Sequence, residues 1–200
     1  VDQMDYRMIA APDGQVGGVL HLTDEMRKHG ARPVWLGYLG VDDVDRTVVD
    51  VVAAGGKVLM PAWDIPEVGR IAMVTDPHGV PFYVMRGASE GTSTAFGRMT
   101  LGHVSWNELM TRDAAASAKF YTALFGWSRE EVDMQGYTYS MFKSGDRAVC
   151  GMFTLPPDAE SMPVMWMPYV TVEDLEASVA RAKDLGATVH KEITTIQVGR

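Results

Sequence analysis

The feature that most constrains this chain is that it repeats itself. Tyr6-Arg7-Met8 aligns with Tyr139-Ser140-Met141, and the match continues through Asp13/Asp146, Val16/Val149, Gly18/Gly151 and Leu22/Leu155. After a two-residue slip it resumes at Trp35/Trp166, Tyr38/Tyr169, Val41/Val172, Asp43/Asp174 and Gly55/Gly186. A period this long marks a duplicated domain, not a solenoid unit. The copies are framed differently. Copy one continues through Ile71–Thr75, Asp76-Pro77-His78-Gly79 and Val80–Met85, which copy two lacks. Copy two opens with a segment from Met99 that copy one lacks. The expected organisation is therefore a first domain over 1–87 without its first strand and helix, a linker over 88–98, and a second domain over 99–200 without its last strands. The Gly/Ser/Thr-rich composition of Gly87–Gly97 suits a linker. A sheet missing strands leaves unpaired edges, so a homodimer that closes them is expected.

Patterning within a copy predicts an α+β fold. Leu101–Thr111 reads as a strand. Asp113 is placed to cap a helix over Ala114–Phe125 that stops at Gly126, with Ala116, Phe120 and Leu124 on one stripe. Strands follow at Tyr137–Lys143, Ala148–Leu155 and Met167–Val172. Asp174 then caps a helix carrying Leu175, Val179, Ala182 and Leu185, and Thr188–Ile193 is expected to be a strand. Copy one repeats the scheme with Val44, Val48, Val51 and Ala54 ahead of Gly55-Gly56. Helices do not alternate strictly with strands, which excludes a doubly wound nucleotide-binding sheet. No Gly-rich strand-to-helix turn or phosphate loop is visible.

The net charge of -8 and pI of 5.0, without a basic stripe, exclude phosphate-backbone binding to nucleic acid. The single cysteine, Cys150, lies in the apolar run Val149–Phe153 and fits a reducing, cytoplasmic setting. No signal-peptide or membrane-spanning pattern is present.

Three segments together resemble the vicinal oxygen chelate superfamily of glyoxalases, bleomycin-resistance proteins and extradiol dioxygenases. They are GHVSWNELMTRDAAASAKFYTALFGW (102–127), YVTVEDLEASVARAKDLGA (169–187) and MVTDPHGVPFYVM (73–85). The resemblance implies paired βαβββ modules forming curved mixed sheets around a cavity, with helices on the convex face. It also implies four strand positions that hold metal ligands in metal-dependent members. Carried over, these fall at Trp106; at Leu36 and Met167; at Tyr83; and at His21 and Thr154. Only His21 is a good ligand, and one histidine is not a site. No metal cofactor is therefore expected, a divalent ion being the weaker alternative.

Period two puts Glu108 on the strand face of Trp106, where a carboxylate could act as a base or bind a cationic group. The competing reading pairs it with a structural partner. Tyr38 and Tyr169 are equivalent and offer flat surface with a hydroxyl; Tyr83 puts a ring where a ligand would stand. Trp35 and Trp166 read as packing residues. His78 reads as a solvated turn residue and His103 as structural; His29 and His190 have no evident partner. The methionines read as pliable filler. The candidate ligand-binding set is thus Glu108, Trp106, Tyr38, Tyr169, Tyr83 and His21. The expected function is metal-free binding of a small molecule in an aromatic, Met-lined cavity. The alternatives are a metal-dependent lyase, isomerase or dioxygenase, and a structural module with a vestigial cavity.

Overall fold

The structure is a computed structural model that describes residues 5–134 and 137–195. The second copy contains a complete βαβββ module: β7 (Val104–Thr111), α3 (Ala114–Phe125), β8 (Ser128–Asp133), β9 (Thr138–Ser144) and β10 (Arg147–Thr154). Its helix begins where Asp113 accepts a hydrogen bond from the Ala116 amide at 2.9 Å. It ends at Gly126, whose φ of 64° is the left-handed conformation that glycine adopts at least cost. β10 runs parallel to β7 and antiparallel to β9, which pairs with β8. β11 (Met165–Val170) adds antiparallel to the other edge of β7, giving the order β11-β7-β10-β9-β8. α4 (Leu175–Asp184) follows, capped by Asp174.

The first copy supplies the other kind of module. β3 (Tyr38–Gly40), α2 (Val44–Ala53), β4 (Lys57–Ile65), β5 (Gly69–Thr75) and β6 (Pro81–Gly87) form a sheet in the order β3-β6-β5-β4. Asp43 caps α2 through the Arg46 amide. Ahead of this module stand a hairpin, β1 (Tyr6–Ala11) and β2 (Gly14–Leu20), and the short helix α1 (Asp24–Lys28). The architecture is α+β with mixed sheets, as expected. Among the described residues no helix is long and apolar enough to cross a membrane.

The helices of both modules face one core. Val44 and Val51 of α2 join Val74, Phe82 and Val84 of their sheet. Phe120 and Tyr121 of α3 join Leu109, Phe142 and Met152 of theirs, and the two sets form one cluster. Phe82 bridges them, its ring 5.7 Å from Tyr121, 6.2 Å from Phe125 and 6.5 Å from Phe120. The Tyr121 hydroxyl donates to Asp76 Oδ2 at 3.3 Å and accepts from the Trp166 indole at 3.1 Å. Residues 88–103 between the copies hold only an isolated bridge, Phe96 to Val104.

Several expectations need correction. Thr188–Ile193 is not a strand. Its counterpart β4 is ordered by antiparallel pairing with β5, and among the described residues copy two offers no such partner. β8 was not anticipated: Ser-Arg-Glu-Glu-Val-Asp shows no apolar alternation, because it is a mostly exposed edge strand that among the described residues pairs only with β9. β7 starts at Val104, not Leu101. Trp166 packs as expected, but Trp35 is 60% exposed. His78 is half-buried instead of solvated, and its Nε2 is covered without a hydrogen-bond partner.

Candidate functional site

The site grows from a glycine. Gly151 of β10 lies level with Glu108 on one side and Met141 on the other. A Cβ at Gly151 would stand 1.9 Å from the Tyr139 hydroxyl oxygen, so the absent side chain is what lets the Tyr139 ring lie across the sheet. That ring brings its hydroxyl to Glu108, donating to Oε2 at 2.9 Å. The same hydroxyl accepts from the Trp106 indole nitrogen at 2.7 Å. From β11, in register with Trp106, Tyr169 donates its hydroxyl to Glu108 Oε1 at 2.8 Å. Both carboxylate oxygens therefore accept a phenol. Arg98 sits 5.4 Å from the Trp106 ring centre, a cation over an aromatic face.

Burial, and next the nearby Glu108 charge, push the Tyr139 and Tyr169 phenols above their ordinary range. Both stay protonated donors at neutral pH. Met167 and Gly151 flank Glu108 in register on neighbouring strands, and Met165 and Phe153 flank Met110. The face is partly buried and sulfur- and ring-rich, with one anchored carboxylate among its rings.

The first copy carries a related but different patch. Tyr38 of β3 and Tyr83 of β6 are cross-strand partners, their rings stacked at 4.5 Å and 8°. Trp63 meets Tyr83 edge-on at 6.4 Å. Burial is the main reason both phenols are raised. Tyr83 and then Tyr6 add to the effect at Tyr38, and Tyr6 adds to it at Tyr83.

The structure thus brings Glu108, Trp106 and Tyr169 together, and Tyr38 with Tyr83, but in two separate patches. His21 joins neither. It is exposed at the end of β2, beside Asp5, Arg7 and Val19, and its amide donates to the Asp5 carbonyl. Thr154 accepts from the Ala114 amide at the start of α3, and so is committed to the helix. Among the described residues no group of three or more His, Cys, Asp or Glu could hold a metal ion. The groups that touch Glu108 are two phenols, and the neighbouring Trp106 offers only an indole N–H, which cannot coordinate, so among the described residues Glu108 has no His, Asp, Glu or Cys beside it to share a metal. The described residues of these patches do not assemble a set of metal ligands. Cys150 is buried, and burial pushes its thiol up, which disfavours the reactive thiolate. A hollow of about 510 Å3 lies away from both patches, against Arg112, Thr154 and Pro156. The Arg112 guanidinium there is tied to the carbonyls of Ala159, Glu160 and Met162, leaving it little to offer a ligand.

Sequence reasoning missed Tyr139. Its signal was present: Tyr139 and Gly151 recur as Tyr6 and Gly18, and a Cβ at Gly18 would stand 2.2 Å from the Tyr6 hydroxyl. A tyrosine and a glycine kept together in both copies is a packing unit, and the unit points a hydroxyl.

The model of the Glyoxalase/Bleomycin resistance protein/Dioxygenase superfamily matches residues 1–84 and 100–200. The chain belongs to that superfamily. Among superfamily relatives, "Putative glyoxylase CFP32" of Mycobacterium tuberculosis is 35% identical over 173 residues, covering 86% of this chain and 65% of that protein. "Anthracycline biosynthesis protein DnrV" of Streptomyces peucetius is 33% identical over 174 residues, covering 86% of this chain and 62% of that protein. The chain therefore spans somewhat under two-thirds of the length of these relatives. Of solved structures, 2,2',3-trihydroxybiphenyl 1,2-dioxygenase from Sphingomonas wittichii aligns with a TM-score of 0.50 at 16% identity, over 80% of this chain and 61% of that one. At that identity the likeness speaks for the superfamily fold alone.

Proposed function

We propose that this superfamily member binds a small, flat organic molecule on its aromatic and Met-lined faces without using a metal. The observation that carries the reading is the clasp on Glu108. Tyr139 and Tyr169 hold both carboxylate oxygens, so the group that stands near the expected ligand positions is fixed as a hydrogen-bonding anchor. Trp106 and Tyr169 supply ring surface beside it, and Met167 supplies adaptable apolar contact. Rings favour a planar partner, and the carboxylate favours one with a donor or a cationic group. The Streptomyces relative's name, which places it in anthracycline biosynthesis, supports a polycyclic aromatic class of ligand. Tyr38 and Tyr83 offer the first copy's ring surface to the same kind of molecule. A cytoplasmic homodimer is the setting we propose for it, because the short strand β3 and the strand β11 lie at sheet edges.

The test is a thermal-shift screen of planar aromatic compounds against the chain, followed by Trp fluorescence titration of any hit. A ligand that binds only the folded state raises the melting temperature. Glu108→Gln should weaken a cationic or donor-bearing hit by about tenfold, the scale of one charge-assisted hydrogen bond. A stoichiometric divalent metal found by elemental analysis of protein purified without chelator would overturn the metal-free reading. Light scattering that shows only monomer would overturn the dimer.

A further inference from the structure

The segment between the two copies brings a cation to the Glu108 face. Its end is pinned at several points. The His103 imidazole lies 2.7 Å from the Thr94 carbonyl, and the Gly97 amide donates to the Val104 carbonyl at 3.0 Å. Arg147 donates to the Phe96 carbonyl, with its guanidinium 4.7 Å from the Phe96 ring centre. The chain then turns tightly. The Thr100 amide donates back to the Gly97 carbonyl, a Cβ at Gly97 would stand 2.9 Å from the Thr100 side chain, and Met99 is held at a φ of 63°. A left-handed methionine persists only where its surroundings fix it. This turn sets the Arg98 guanidinium 5.4 Å from the Trp106 ring centre. The Trp106 indole donates to the Tyr139 hydroxyl at 2.7 Å, and that hydroxyl donates to Glu108 at 2.9 Å. A continuous line of contacts thus joins a guanidinium to a carboxylate, with the two charges at its ends.

Arg98 keeps its N–H groups available. Arg112 and Arg147 of the same module end on backbone carbonyls, and Arg129 ends on Glu131. Among the described residues no carboxylate pairs with Arg98. A guanidinium stacked on a ring still presents its planar edge, a fork that matches a carboxylate. We propose that Arg98 is the specificity-determining residue of this face, and that the molecule bound there is a hydroxyaryl carboxylate. Its acid group meets the Arg98 fork, and its hydroxyl donates to Glu108. Its rings lie beside Trp106 along Tyr169 and Met167, which are in register with Trp106 and Glu108. Trp106 and Glu108 stand two residues apart on one strand, about 7 Å, so a ring system with the two groups at opposite ends suits the site. A neutral ring leaves Arg98 unpaired, and a purely cationic one is repelled by it; a hydroxy acid complements both ends. The proposal rests on reading the Glu108 face as a receptor, and it adds the charge that the ligand carries.

The probe is 6-hydroxy-2-naphthoate, with 6-hydroxy-2-naphthamide lacking the charge and 2-naphthoate lacking the hydroxyl. Each is titrated into the whole chain at neutral pH by isothermal titration calorimetry, while 15N spectra follow the Trp106 indole N–H, assigned from Trp106→Phe. The hydroxy acid is expected to bind saturably, to shift that signal, and to bind about tenfold more tightly than the amide. Arg98→Gln should remove this advantage and leave amide binding as it was. Arg98→Lys should keep part of it, because a point charge remains without the fork. Glu108→Gln should weaken both hydroxylated probes and leave 2-naphthoate unaffected. Equal binding of acid and amide overturns the proposal. So does an Arg98→Gln variant that weakens both alike, which would make Arg98 only a cover for Trp106. Probe binding that depends on Glu108 but not on Arg98 overturns the role of Arg98 and leaves the receptor reading standing. No binding by any of the three overturns the proposal, and the thermal-shift screen then decides whether the receptor reading falls with it.

Discussion

The Tyr139 ring lies directly over Gly151, leaving no room for a Cβ. Gly151→Ala must therefore displace either the ring or the strand. The ring is the softer element, and moving it breaks the hydrogen bonds with Glu108 and Trp106 together. The expected cost is about 1–3 kcal/mol, the range for forcing a group into a packed space. Urea unfolding with tryptophan fluorescence checks it. An unchanged midpoint and an unchanged emission spectrum would mean the ring is not seated as described.

Removing the carboxylate asks a different question of the same cluster. Glu108→Gln keeps an acceptor but replaces one oxygen with an N–H2 group, which must then face a phenol hydroxyl. One of the two tyrosines loses its acceptor. Because the Glu108 charge helps to raise both phenols, their titration should move down toward the ordinary tyrosine range in this variant. Ultraviolet difference titration at alkaline pH reads this directly. Phenol titration indistinguishable from that of the parent chain would break the link between Glu108 and the tyrosines.

Much of this was legible in the sequence. The duplication marked two related units, the caps Asp113 and Asp174 marked two helix starts, and alternation put Glu108 on the strand face of Trp106. What could not be read was which rings would meet. Tyr139 joins Glu108 across 31 residues and Tyr169 across 61, and those meetings are set by strand register, which single-strand periodicity does not reveal. Edge strand β8 was hidden for a related reason: a strand with one exposed face and one free edge need not alternate. His21 was set apart by geometry, since its type suits a ligand but its position on the hairpin leaves it beside Asp5 and Arg7.

His103 ties the hairpin to the second copy and makes that tie dependent on pH. It is buried, with Nδ1 2.7 Å from the Thr94 carbonyl and Nε2 2.8 Å from Asp13 Oδ1. Both neighbours are acceptors, so both ring nitrogens must carry protons to satisfy them. The Asp13 hydrogen bond is the main cause that raises the imidazole above its usual value of 6.5, and Asp13 is lowered in return. A raised folded value means the stabilisation is complete below 6.5 and is lost as pH climbs through the folded value. Amide exchange of Tyr6–Leu20 should therefore accelerate with pH beyond the base-catalysed trend. Asp13→Asn should move that onset to lower pH. Identical onsets in both proteins would show that the pair does not hold the hairpin.

Asp76 should work in the opposite sense from an ordinary surface carboxylate. It is buried, and burial raises its pKa even though the amides of Val80 and His78 and the Tyr121 hydroxyl donate to it. The folded state thus holds its proton more tightly than the unfolded chain. Stability from this group falls as pH rises from near 3.8 through the folded value. Asp76→Asn keeps an acceptor for the two amides and should flatten the stability profile over that window, measured by denaturant midpoints at stepped pH. A parent profile that rises there while the variant follows it would refute the assignment.

Phe82 decides whether the two copies stand or fall together. It belongs to the first copy's sheet, yet its ring neighbours Phe120, Tyr121 and Phe125 all lie on the second copy's helix. Phe82→Ala should cost about 3–5 kcal/mol, the range for truncating a buried phenylalanine. The loss should appear in both copies, because the cavity would lie between them. Trp127 and Trp166 report on the second copy: Trp127 stacks on Tyr121 at 6.0 Å, and Trp166 meets it edge-on at 5.3 Å. Trp63 reports on the first. Proteins keeping only Trp63, or only Trp127 and Trp166, with the other tryptophans replaced by Phe, should show coincident unfolding midpoints. Phe82→Ala should lower both midpoints by the same amount. If the variant lowers one midpoint and leaves the other, each copy has a core that does not need the other.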